Sequence, residues 1–122
     1  MLDGEGTITV PVGTWNIYAS HGIEWSLDHT TITVEEGGEY SWDAELVHEI
    51  DTTNWVSGDF HLHTLTHSGH GDSNMNERII SLIGDNVEFA VATDHYHNTD
   101  YQSTINDLIT NEHITAVFDT EV

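Results

Sequence analysis

The sequence predicts a mixed fold, α+β overall with an α/β C-terminal part. Residues 1–53 are expected to form part of a β-sandwich, and residues 54–122 the first βαβαβ units of a barrel. The N-terminal part holds short runs of β-branched and aromatic residues between glycine-containing turns, which is typical of antiparallel strands. The remainder alternates apolar strand-like runs with segments of helical periodicity, which indicates parallel strands joined by helices.

The N-terminal part contains four runs that favour β-strands. Turn signals at residues 11–13, 21–22 and 35–38 separate them. The last run alternates apolar and polar residues for most of its length, as a half-buried strand does. Short antiparallel strands with tight turns predict part of a β-sandwich. The four runs are residues 7–10, 14–19, 30–34 and 40–47.

A strand and a helix open the second part, after a linker at residues 51–54. Residues 55–63 are predicted to form the strand. Asn74 is a good N-cap, and Glu77 three residues later has the spacing of a capping box. Apolar residues continue at helical spacing as far as Gly84, which can end the helix.

Two more strands complete the βαβαβ pattern. Residues 89–93 form a continuous apolar run, as expected for a parallel strand covered on both faces. Asp100 can cap a second helix, whose apolar stripe runs to Ile109, and residues 115–118 are the third strand. Since a complete α/β barrel takes on the order of 250 residues, we expect this chain to be part of a longer protein. We therefore expect these residues alone to bind metal weakly and to show no turnover.

The charge balance is extreme. The chain has 22 acidic residues against a single basic one, Arg78, and a formal net charge of −21. Such a surface repels nucleic acid and anionic membranes, so neither is an expected partner. It favours a protein that works in high salt, where screening weakens the self-repulsion. The absence of cysteine excludes disulfides and thiolate zinc sites. The sequence assigns no compartment, although an extracellular or cell-envelope location is compatible with it.

His61 and His63 are the most informative residues of the chain. Alternate residues of a strand point to the same face, about 6–7 Å apart. The two imidazoles are therefore expected to lie side by side as a pair of metal ligands, with Phe60 and Leu62 on the opposite, packed face. The alternative is that the two histidines lie next to each other on a surface strand by chance and bind no metal.

Ligand-type residues also follow the other two predicted strands. Asp94 and His95 come after residues 89–93, and Glu121 comes after residues 115–118. The carboxyl ends of parallel strands meet at one edge of a sheet, so these side chains are expected near His61 and His63. Imidazoles and carboxylates suit zinc, manganese or iron. We expect Asp94 to serve the catalytic site by orienting an imidazole rather than by binding metal, and Glu121 to bridge two ions.

The loop that follows the first of these strands offers further candidates. His67, His70 and Asp72 lie in a polar, glycine-rich segment, and the sequence does not decide which of them binds metal. His70 and Asp72 are the preferred candidates. His97 is placed towards substrate. The remaining histidines are expected to be structural or exposed; they are His21, His29, His48 and His113.

These motifs resemble a known family. Gly58-Asp59-Phe60-His61-Leu62-His63-Thr64, then Ser68, then Ala92-Thr93-Asp94-His95, then Glu121 are similar to the opening motifs of the polymerase-and-histidinol-phosphatase (PHP) metallohydrolases. Trp55-Val56-Ser57-Gly58-Asp59 resembles the CehA/McbA branch. The resemblance covers residues 55–122 by motif and residues 7–53 only in style.

The resemblance implies a distorted (β/α)7 barrel with two or three divalent ions at the strand C-termini. His61, His63 and His95 match metal-binding histidines, and Glu121 matches the carboxylate of the third motif. Many members carry Ser-Asp-Gly in the loop after the first motif, whereas this chain has Ser68-Gly69-His70-Gly71-Asp72, so the loop ligand stays open among His67, His70 and Asp72.

The implied activity is hydrolysis of a small-molecule substrate. Water activated by the metals would attack a phosphoester or, in this branch, a carbamate or amide. The alternative from another class is a non-catalytic acidic module that binds carbohydrate or calcium. Calcium prefers oxygen ligands, so that alternative gives His61 and His63 no role. A third hypothesis is a metal-buffering protein whose histidines are simply numerous.

Overall fold

The computed structural model describes residues 4–122 and contains two separate sheets and three helices in that range. The elements in chain order are β1 (Gly13–Ala19), β2 (Asp28–Val34), β3 (Gly58–Leu62), α1 (Leu65–Ser68), α2 (Met75–Gly84), β4 (Phe89–Ala92), α3 (Tyr101–Asp107) and β5 (Thr115–Phe118). β1 and β2 form an antiparallel pair, and β3, β4 and β5 form a parallel sheet in that order. None of the helices formed by residues 4–122 has the length and apolar character needed to cross a membrane.

The parallel sheet confirms the predicted βαβαβ order. Its core is a cluster of buried apolar residues from β3, β4, α2, α3 and the residue before β5, and α2 and α3 pack against each other. Ile79 of α2 and Ile105 of α3 are fully buried, as are Ala90 and Ala92 of β4. Burial of this apolar surface is the main favourable contribution to folding in this part of the chain.

Both long helices begin where their caps predict. The Asn74 side chain accepts a hydrogen bond from the Glu77 amide, and the Glu77 carboxylate accepts one from the Asn74 amide, so the capping box is complete. Asp100 accepts from the amides of Gln102 and Ser103 at the start of α3. α3 ends at Asp107, earlier than the predicted apolar stripe, and Ile109 has a positive φ of 57°. α2 ends at Gly84, as predicted, so the local signals located both ends of α2 but only the start of α3.

One face of the parallel sheet is covered and the other is not. The prediction that β4 is buried on both faces is wrong, because α2 and α3 lie on one side and Phe89 and Val91 are only half-buried. The prediction that Phe60 faces the packed side with Leu62 is also wrong, since Phe60 is 69% exposed. A register shift between Asp59 and Leu62 interrupts the strict alternation of β3 and accounts for this difference.

The N-terminal part forms fewer strands than predicted. β1 and β2 match two of the four runs, but residues 7–10 and 40–47 are not strands. Residues 7–10 are largely exposed and pair with no strand in the described chain. In residues 40–47, two backbone amides that could pair with a neighbouring strand donate to side chains instead. The Glu45 amide donates to the Asp28 carboxylate, and the Val47 amide donates to the Ser26 hydroxyl. Two paired strands are not a sandwich, so the β-sandwich stays a prediction.

The two predicted parts touch each other. His21 Nδ1 lies 2.9 Å from the carbonyl oxygen of Gly84, and the Asn86 side-chain amide donates to Glu24 at 3.3 Å. Gly22, with a φ of 74°, sits so close to the end of α2 that a Cβ there would collide with the Asp85 carbonyl oxygen. These contacts join the segment before β2 to the end of α2.

Candidate metal centre

The carboxyl ends of all three parallel strands meet at one edge of the sheet. The pairing of β4 with β5 extends past the strands as an isolated bridge between His95 and Glu121, closed by a 2.8 Å hydrogen bond from the Tyr96 amide to the Glu121 carbonyl oxygen. At the end of β3, the Asp59 carboxylate accepts a hydrogen bond from the His61 amide across the register shift. Backbone pairing therefore brings residues of three separate motifs to one place.

His61, His63 and Glu121 form the first group of candidate ligands. The two histidine Nε2 atoms are 2.9 Å apart, and Glu121 Oε2 lies 3.2 Å from His61 Nε2 and 3.1 Å from His63 Nε2. The ring centroids are 4.9 Å apart, closer than the strand spacing predicts, because the imidazoles lean towards each other. The His61 side chain is 64% exposed and that of His63 only 17%, so the group has one open side.

His63, His70 and His95 form the second group. The ring of His63 stacks on that of His95 with centroids 4.7 Å apart, and His70 lies 4.9 Å from each of them. His70 comes from the loop after α1, where Gly69 and Gly71 both adopt positive φ and turn the chain back. Of the two preferred loop candidates, His70 is the one that the structure brings to the centre.

Asp72 lies outside both groups. Its carboxylate contacts Arg78 Nη2 at 3.3 Å and accepts a hydrogen bond from the Ser73 hydroxyl at 3.0 Å. Arg78 is the only basic residue of the chain besides histidine, and its Nε also donates to the His63 carbonyl oxygen at 3.1 Å. The structure pairs the Asp72 carboxylate with Arg78 and brings it into neither group, so Asp72 as a ligand stays a prediction that this geometry does not support.

The surroundings of Glu121 Oε2 are compatible with a bound cation. The atom is buried and accepts no hydrogen bond, although three imidazole nitrogens lie within 3.7 Å of it. A buried carboxylate oxygen without a donor is costly unless a positive charge is near. The structure thus contains histidine and glutamate groupings that could hold a metal ion. Nitrogen and carboxylate ligands fit zinc, manganese or iron, and fit calcium poorly.

The surroundings of His63 favour the neutral form of its imidazole. Burial lowers its pKa, and the neighbouring His95 lowers it further, against the opposing effect of Glu121. Because a histidine binds metal only in its neutral form, a lowered pKa keeps more of His63 ready for an ion near neutral pH.

Asp94 is fully buried beside the centre, but its carboxylate does not bond to an imidazole directly. It accepts hydrogen bonds from the Thr64 amide at 2.6 Å, from the Thr64 hydroxyl at 3.0 Å and from the Ser68 hydroxyl at 2.6 Å. Burial by itself raises the pKa of Asp94, but the bonds from Ser68, Thr64 and Thr99 outweigh it and hold the pKa below its ordinary value. An orienting role for Asp94 stays a prediction, and the contact that connects its carboxylate to an imidazole runs through Ser68.

Ser68 is the residue to which the sequence assigned no role. It ends the four-residue helix α1, and its hydroxyl oxygen lies 3.1 Å from His63 Nδ1 while it donates to Asp94. Ser68 is one of the residues that carry the family resemblance, and this was the one signal that could have indicated a role. The four-residue helix that places it is too short to be recognised from the periodicity of the sequence.

The other histidines lie outside the two groups. His67 and His97 stack on each other with centroids 4.0 Å apart, and His97 Nδ1 contacts the Thr99 hydroxyl at 3.0 Å. The placement of His97 towards substrate stays a prediction. His29 stacks on Tyr18, and His48 pairs with Glu24 at 3.2 Å. His21 and His113 both line a small cavity beside the end of α2.

Comparisons with known proteins add no evidence to that of the geometry. No family model, no curated protein and no solved structure matches the chain.

Proposed function

We propose that this chain carries part of the active site of a metal-dependent hydrolase of the PHP type, which cleaves a phosphoester or a carbamate or amide of a small molecule. The observation that supports this most strongly is the convergence of His61, His63 and Glu121 around a buried carboxylate oxygen that lacks a hydrogen-bond donor. Its position at the carboxyl ends of parallel strands is where α/β enzymes collect functional residues.

The two ligand groups share His63 and are best interpreted as one centre. Ser68 occupies Nδ1 of His63, so only Nε2 is available and it can serve one ion. In this proposal His61 and His63 would hold one ion and His70 and His95 a second, and Glu121 Oε2 lies within 3.7 Å of ring nitrogens from both pairs. The donor set favours zinc, manganese or iron. When bound, such ions act as Lewis acids and make water nucleophilic near neutral pH.

The chain's own residues position the ligands. The buried Asp94 carboxylate holds the Thr64 amide and the Ser68 hydroxyl, which fixes the start and end of α1. Arg78 Nε donates a hydrogen bond to the His63 carbonyl oxygen and so helps to fix the backbone of that ligand. The exposed His61 marks the side from which a substrate and water can reach the centre.

The experiment is a turnover assay on the complete gene product that contains this chain. The protein is stripped with a chelator, resupplied with zinc or manganese, and offered bis(4-nitrophenyl) phosphate and a phenyl carbamate. We expect turnover that requires the added metal, is lost in the His61→Ala/His63→Ala double variant and is kept in His113→Ala. His113 is the matched control because it precedes β5, at the opposite edge of the sheet.

Two results would overturn the proposal. One is turnover that survives both metal removal and the double substitution, because the reaction would then occur elsewhere. The other is a metal-loaded protein that cleaves neither substrate class.

A further inference from the structure

The Ser68 hydroxyl is the junction of three hydrogen bonds. It donates to Asp94 Oδ1 at 2.6 Å, it accepts from the His95 amide at 3.1 Å, and it lies 3.1 Å from His63 Nδ1. A hydroxyl has one proton and two lone pairs, so these three contacts use its full capacity.

The geometry decides where the protons are. The carboxylate of Asp94 can only accept, and a 2.6 Å contact is typical of a charge-assisted hydrogen bond from a hydroxyl. The His95 amide can only donate. The one hydroxyl proton is thus committed to Asp94, and Ser68 Oγ is left to accept from His63 Nδ1. His63 Nδ1 must therefore carry the imidazole proton.

We propose that Ser68 is a positioning residue that holds His63 in its Nδ1–H tautomer and so leaves the Nε2 lone pair free to bind a cation. Nε2 is the atom that lies 2.9 Å from His61 Nε2 and 3.1 Å from Glu121 Oε2. In the other tautomer a proton on Nε2 would occupy the ligand position. The ligand role of Nε2 rests on the proposed function, whereas the tautomer itself does not.

Ser68 also connects the buried carboxylate to the centre. A metal-binding histidine commonly donates its second ring N–H to a carboxylate or carbonyl oxygen, which fixes the ring and strengthens the ligand. Here a hydroxyl stands between the two groups, so Asp94 acts on His63 through Ser68. The same hydroxyl anchors the His95 amide, so one side chain orients two of the candidate ligands.

The experiment measures the tautomer in the metal-free chain by long-range ¹H–¹⁵N correlation of the histidine rings, at about pH 8, well above the ordinary histidine pKa. We expect a pyrrole-type shift for His63 Nδ1 and a pyridine-type shift for Nε2. Ser68→Ala should move both shifts towards the average of the two tautomers, and Ser68→Thr, which keeps the hydroxyl, should restore them. Ser81→Ala is the control, because this serine of α2 is exposed and its hydroxyl donates to the Arg78 carbonyl oxygen, away from the candidate ligands.

Zinc affinity is the second measurement. We expect Ser68→Ala to raise the zinc Kd by about 10- to 100-fold, the range found when partners of metal ligands are removed, and Ser68→Thr to recover most of it. A wild-type His63 with its proton on Nε2 would overturn the inference, even if Ser68→Ala failed to fold. So would unchanged shifts and an unchanged Kd in Ser68→Ala. A chain with the expected tautomer that binds no metal would instead contradict the proposed function and leave the tautomer assignment standing.

Discussion

The buried carboxylate of Asp94 allows the sharpest stability prediction. Replacing Asp94 with alanine removes the acceptor of the Thr64 amide, the Thr64 hydroxyl and the Ser68 hydroxyl, besides the Thr99 bond that also lowers its pKa. Asp94 and Thr64 are both fully buried, so water does not readily replace the lost acceptor. The substitution should therefore destabilise the whole of α1 and its junction with β4.

The magnitude follows from those three bonds. An unsatisfied buried donor costs about 1–3 kcal/mol, and Ser68, which is only half-buried, can recover part of its loss from water. The expected decrease in the free energy of unfolding for Asp94→Ala is about 3–6 kcal/mol, a large part of the roughly 5–15 kcal/mol typical of a domain. Asp94→Asn keeps the shape and one oxygen but loses the charge, so we expect a decrease of about 2 kcal/mol.

The assay is urea unfolding of the metal-free chain followed by tryptophan fluorescence. Asp107→Ala is the matched control, because this aspartate is exposed at the end of α3, and it should change the unfolding free energy by less than about 0.5 kcal/mol. An Asp94→Ala variant as stable as this control would refute the reasoning, because the carboxylate would then not hold its three donors.

Three further predictions concern salt, acid and one glycine. The melting temperature should rise from low to molar potassium chloride, since 22 carboxylates face one arginine and screening weakens their repulsion; a flat or falling melting temperature would count against this. The lowered pKa of Asp94 adds stability that is complete above the unfolded value of about 3.9 and is lost as the pH falls through the folded value. Below about pH 4 the unfolding free energy of the wild type should therefore fall more steeply with pH than that of Asp94→Asn. The same pH dependence in both proteins would contradict the predicted direction of the pKa shift. Gly22→Ala should lower the melting temperature more than Gly37→Ala, because both have a positive φ but only Gly22 faces a backbone oxygen; equal shifts would mean that Gly22 makes no close contact.

The parallel sheet could be predicted because its signals are local. Asn74 with Glu77 and Asp100 with the amides that follow it fix the helix starts within a few residues. The apolar run of β4 needs no distant information to be recognised as a strand. Once these elements are in order, parallel pairing brings His63, His95 and Glu121 to one edge, so most of the candidate centre followed from the topology.

The remainder depends on distant contacts that no local pattern contains. Whether residues 40–47 form a strand depends on Ser26 and Asp28, which take their amides. The choice between His70 and Asp72 depends on how Gly69 and Gly71 turn the loop and on the ion pair of Asp72 with Arg78. The role of Ser68 depends on two partners, His63 and Asp94, of which the second is 26 residues away.

Metal content tests the central claim most directly. The complete gene product that contains this chain is stripped, dialysed against zinc or manganese, and analysed for bound metal as the wild type, as His61→Ala/His63→Ala and as His113→Ala. We expect metal in the wild type and in the His113→Ala control, and its loss in the double variant, which removes both histidines that face Glu121. Full metal content in the double variant would contradict the assignment of the centre to these strand ends.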